Sequence, residues 1–104
     1  MKTVRINKSN WSGEKADVQL YADGRTFKIY GTEKFKLIKK GNDFDGSSQW
    51  VIANVTSKGW TETDYCGWTD KSGWSMFQNW TGDITRETTK DPRLAAAKLM
   101  FMLF

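Results

Sequence analysis

The chain of 104 residues contains no histidine and a single cysteine, Cys66. Ser-His-Asp and Cys-His catalysis, His-ligated zinc and an intrachain disulfide are all excluded, because each needs a residue the chain does not have. Carboxylates are what remains for acid–base chemistry. Glu62 and Asp64 are the close acidic pair beside aromatic residues. A glycosidase holds two such carboxylates about 5 to 10 Å apart in a cleft, and a domain of 12.0 kDa has little room to build one. Asp43-x-Asp45-Gly46 lacks the third carboxylate and the distal Glu of a calcium loop. Cys66 has no histidine or basic neighbour beside it to lower its pKa, and is expected to be a small buried hydrophobe. The chain is therefore expected to be non-enzymatic and to hold no metal or cofactor.

The residue types left for function are aromatic rings and lysines. Tyr21, Lys28, Tyr30, Lys34 and Lys36 fall at outward positions of adjacent strands. Such a face suits single-stranded nucleic acid or a nucleotide: each base stacked on a ring contributes about 1 to 3 kcal/mol, while lysines neutralise phosphates. Solvated strands also carry Tyr and Lys for no purpose beyond solubility. Charge adds modest weight. Residues 1–40 hold ten Lys/Arg against four acids, whereas residues 41–104 hold six against eight. Between Arg25 and Lys40 there are six basic residues and one acid.

Six tryptophans form a second set. Trp50, Trp60 and Trp74 are expected in the core, since the chain is poor in Leu, Ile and Val. Trp68, beside Tyr65 and Cys66 near a hairpin tip, is expected to be exposed and to act as a binding hot spot. It completes the candidate ligand-binding set of Tyr21, Lys28, Tyr30, Lys34, Lys36 and Trp68.

The elements that must position these residues follow from hydrophobic period. Thr3 to Ile6 alternates as a strand. In 17–30, DVQLYADGRTFKIY, Asp23-Gly24 sits between two alternating runs and predicts a hairpin with a two-residue loop. Val18 then faces Ile29 and Leu20 faces Phe27, so these four share one face. A three-residue turn at Gly31-Thr32-Glu33 would return the chain as Lys34 to Lys40, with Phe35 beside Ile29 and Leu37 beside Phe27. Residues 41–48 read as a loop, Gln49 to Thr56 as a strand, and Ser57-Lys58-Gly59 as its turn. Asp70 to Gly73 joins Tyr65–Thr69 to Trp74–Trp80 as a hairpin turn. Ile84 to Thr89 is either a short strand or a linker. Asp91-Pro92 then opens a helix, with Asp91 as N-cap and Pro92 at the first helical position, running to about Leu103. Its last six residues are apolar all round, so it must either plug a curved sheet or mate with a second chain.

The expected fold is α+β: a single domain over 1–104, with an antiparallel meander of five or six strands over 1–90, able to curl toward a barrel, and a C-terminal helix over 91–104. No apolar run of signal-peptide or membrane-spanning length is present, which points to the cytoplasm and to no membrane partner. The favoured reading is a binding module for single-stranded nucleic acid or a nucleotide. The alternative is a protein-binding inhibitor or adaptor of the small kind phages encode, directed at a host defence or transcription protein through exposed Trp. A homodimer through the helix is a further expected partnership, and a cytosolic lectin-like protein ranks third.

Overall fold

The computed structural model describes residues 1–8, 13–29, 33–41, 47–78, 84–88 and 91–103. Eight strands run in chain order: β1 (Lys2–Asn7), β2 (Lys15–Leu20), β3 (Thr26–Ile29), β4 (Glu33–Lys40), β5 (Ser48–Thr56), β6 (Gly59–Thr69), β7 (Trp74–Gln78) and β8 (Ile84–Thr88). The one helix among the described residues, α1 (Arg93–Leu103), ends them. Each strand pairs antiparallel with the next, so the sheet order is the chain order. The α+β class is as expected, but the sheet has eight strands rather than five or six. The excess arises where hydrophobic alternation is weak. β8, ITRET, is polar, and it is fixed by its ladder to β7 rather than by an apolar stripe.

The β2–β3 register is as predicted, with Val18 opposite Ile29 and Leu20 opposite Phe27. The reversal itself is longer than two residues. Its closing bond runs from the Tyr21 N–H to the Thr26 carbonyl at 3.0 Å, and the even difference leaves the facing unchanged. Asp23 organises this turn: one carboxylate oxygen accepts the N–H groups of Arg25 at 2.9 Å and Thr26 at 2.8 Å, and the other accepts the Thr26 hydroxyl. Gly24, at φ 75°, supplies the left-handed residue.

The β3–β4 register differs from expectation by two residues. Phe27 faces Phe35, and Ile29 faces Glu33. A two-residue slip keeps every side chain on its face, so hydrophobic alternation cannot detect it. Ring stacking distinguishes the two registers: the Phe27 and Phe35 centroids lie 5.6 Å apart, an aromatic pair the other pairing would forgo.

Along β5 and β6 the pairing shifts by two residues between Val51–Cys66 and Ala53–Glu62. At this bulge the Thr63 hydroxyl donates to the Ile52 carbonyl at 2.6 Å and accepts the Tyr65 N–H at 3.2 Å. Being even, this insertion also preserves facing.

One face of the sheet is the core face. It carries Ile6, Val18, Leu20, Phe27, Ile29, Phe35, Leu37, Trp50, Ile52 and Phe77, all buried. Gly67 belongs to it because Phe77 lies directly opposite, and a Cβ at Gly67 would come within 2.6 Å of that ring. Trp50 is held here by Arg25, stacked 4.4 Å over its ring, and by its indole N–H donating to Thr69 Oγ1 at 3.1 Å. Helix α1 lies across this face against β1–β3 at one end and β7–β8 at the other, so the sheet curls around it. Residues Ala95 through Phe101 are buried on every side of the helix. The helix thus plugs the curved sheet, the first of the two arrangements expected for it. Asp91 caps the helix as predicted, accepting the Arg93 N–H at 3.1 Å. The Arg93 guanidinium grips Asp91 and donates to the carbonyls of Tyr21 and Thr26, each at 2.8 Å, tying the helix to the β2–β3 turn. No helix among the described residues is long and apolar enough to cross a membrane.

Candidate nucleic-acid interface

The opposite, outer face presents the alternate residue of each strand. Adjacent ladders line these residues up in rows. In one row Gln19 faces Lys28 and Lys28 faces Lys34. In the next Thr26 faces Lys36, Lys36 faces Ala53 and Ala53 faces Glu62. Two rows further along β5 and β6, Lys40 faces Gln49, Gln49 faces Trp68 and Trp68 faces Met76. Trp74 lies one position beyond Met76 on the same face, diagonal to Trp68, and Trp60 lies at the far end of β6 opposite Val55.

Lysines predominate on β3 and β4. Lys28 and Lys34 stand directly opposite each other, an arrangement that is repulsive in the free protein. Among the described residues Lys28 and Lys36 have neither ion pair nor hydrogen bond. Lys34 leans over the Tyr21 ring, 4.8 Å from its centroid. That contact covers one face of Tyr21, so the ring positions a lysine rather than standing open for a base. On β4, Lys40 pairs with a carboxylate, Glu62 at 2.8 Å. The acidic pair is thereby split between a salt bridge at Glu62 and an exposed Asp64.

Tryptophans predominate on β6 and β7. Trp60, Trp68 and Trp74 are 48%, 37% and 42% exposed. Trp68 is therefore exposed as expected, whereas Trp60 and Trp74 are not core residues; only Trp50 of the three candidates is buried. The interior is filled instead by Phe, Ile and Leu and by the helix. Cys66 is also exposed, not buried, because Gly67 takes the inward position and sends both its neighbours outward. That glycine was the available signal: a glycine inside an aromatic strand marks a close approach on the side it faces.

Of the six sequence-selected residues, Tyr21, Lys28, Lys34 and Lys36 are brought together, and Trp68 shares their face at a distance. With about 4.8 Å between strands and about 6.7 Å between successive same-face residues, Trp68 lies roughly 10 Å across and 13 Å along the sheet from Lys36. Tyr30 lies outside the described residues, as does the 43–46 loop considered for calcium; the β3 ladder ends at Ile29. Among the described residues no three His, Cys, Asp or Glu side chains gather as a metal site.

The Asp23 carboxylate is the strongly perturbed acid at the edge of this region. Partial burial pushes its pKa up, but the Thr26 hydroxyl, the Thr26 and Arg25 N–H groups and the Arg93 charge outweigh that and bring it down to about 2. It is a structural group, occupied by its own turn.

Comparison with protein-family models, with curated proteins and with solved structures finds no match for this chain.

Proposed function

We propose that the outer face binds single-stranded nucleic acid without catalysing a reaction on it. Lys28, Lys34 and Lys36 neutralise phosphates, and Trp68 and Trp74 stack on bases. The supporting observation is the placement of Lys28 opposite Lys34 with no carboxylate in their row, on the face that also carries three part-exposed tryptophans. Anionic ligand relieves the lysine repulsion, and an indole accepts any base because every base has a π-face. The spacing of lysines from Trp68 favours an oligonucleotide over a mononucleotide, since one nucleotide does not reach both. Such a role belongs in the cytoplasm.

A second reading is a protein-docking face, favoured by the continuity of Trp68, Met76 and Trp74 at the end remote from the lysines. Binding of labelled oligonucleotides measured across a salt titration separates the two. Nucleic-acid binding weakens steeply as salt rises, because phosphate contacts release counterions. No salt-dependent affinity for any oligonucleotide, together with loss of a protein partner in Trp68→Ala, overturns the proposal in favour of protein docking.

A further inference from the structure

A cleft of about 480 Å³ opens along β1–β3, lined by Thr3, Arg5, Lys15, Asp17, Gln19 and Lys28 of the outer face together with Ala16 and Phe101. Its volume falls in the range of small-molecule sites, about 300 to 1,000 Å³. Three cations thus meet one carboxylate. Arg5 engages Asp17 through Nε at 3.0 Å, which leaves its two terminal amino groups for another acceptor. Lys15 donates to Asn7 Oδ1 at 2.7 Å, a neutral partner that does not cancel its charge. Lys28 has no partner among the described residues. The Arg5 charge is secured by Asp17, whose hydrogen bond and charge raise the guanidinium pKa.

The geometry points to a phosphomonoester site in this cleft. The cluster carries two more positive charges than negative, which suits a phosphate carrying close to two negative charges near neutral pH. An arginine fork can bind such a group in a bidentate manner, with lysines as point charges beside it. The phosphate can belong to a free nucleotide or to the phosphorylated end of an oligonucleotide, and Lys28 joins the cleft to the lysine row either way. The inference does not depend on base stacking at Trp68.

The test titrates the full-length protein with cytidine 5′-monophosphate, with cytidine, and with one oligonucleotide carrying or lacking a 5′-phosphate, following amide shifts of residues 15–19 and Lys28. The monophosphate is expected to bind at least about tenfold more tightly than cytidine, with Lys15→Gln removing most of that gain and Asp17→Asn, which deletes the one carboxylate, enlarging it. A 5′-phosphate that tightens oligonucleotide binding in the parent but not in Lys15→Gln identifies a strand end as the ligand. Tightening confined to the monophosphate identifies a free nucleotide. Equal binding of cytidine and its monophosphate, or a monophosphate affinity indifferent to both substitutions, overturns the site. If salt-dependent oligonucleotide binding persists in that case, the lysine–tryptophan reading survives without it. If the monophosphate binds and no oligonucleotide does, the cleft stands and that reading falls.

Discussion

The two faces of this sheet are built from alternate residues of the same strands, and they have opposite economies. The inner face sets Leu20, Phe27 and Phe35 in one row beneath α1 and leaves them buried. One residue along, the outer face sets Gln19, Lys28 and Lys34 in a row with no compensating acid. Stability is concentrated on the inner face, so the outer one is free to hold charges and rings whose arrangement adds little to the fold or opposes it. The outer face divides again: its β3–β4 half is cationic and its β6–β7 half aromatic. A ligand that uses both halves must itself combine charge with flat rings along its length.

Truncation is the severest way to break the contrast. Deleting residues 99–104 removes Leu99, Met100 and Phe101, each buried against the sheet, and is expected to abolish cooperative unfolding by circular dichroism. A truncated protein that melts like the parent would show that the inner face does not need its plug. Phe27→Ala comes next, at about 3 to 5 kcal/mol, because Phe27 is fully buried between Leu20 and Phe35. Lys28→Ala, its immediate neighbour in sequence, is expected to change stability by less than about 0.5 kcal/mol. Equal losses in urea denaturation would mean that the faces are not distinct in energy.

The turn that holds these strands in register gives a smaller, pH-dependent effect. Asp23 has a folded-state pKa of about 2 against an ordinary 3.8. A depressed carboxylate stabilises the fold above its unfolded-state pKa, and that contribution is lost as pH falls from about 4 toward 2. Discounted for solvent screening, it amounts to about 1 kcal/mol. Asp23→Asn should therefore lower stability at neutral pH and flatten the acid limb between pH 4 and 2. An unchanged limb would assign the acid sensitivity to other carboxylates.

Much of the inner face was legible from the amino-acid sequence. Alternation around Asp23-Gly24 specifies which residues face inward, and an Asp-Pro pair before an apolar run specifies the helix and its cap. Two-residue offsets were not legible, because alternation repeats every two residues; this is why the β3–β4 register and the β6 bulge came only from the structure. The tryptophans were harder still. The scarcity of Leu, Ile and Val placed Trp60 and Trp74 inside, yet facing on these strands is decided by which neighbour must be small, and Gly67 settles that opposite Phe77. Of the outer face, the lysine row was legible as a set. The cover of Lys34 over Tyr21 was not, because it depends on side-chain direction rather than on spacing.

The central claim is that the cationic and aromatic halves of the outer face serve one single-stranded nucleic acid, and it is tested most directly by the salt dependence of oligonucleotide affinity in Lys36→Ala and Trp68→Ala against the parent. Lys36→Ala should flatten the slope of log affinity against log salt by about 0.7, the loss of one phosphate contact on a single strand. Trp68→Ala should lower affinity by about 1 to 3 kcal/mol at every salt concentration and leave the slope as it was. A parent protein with no salt-dependent affinity, or two variants that shift slope and affinity alike, would contradict it.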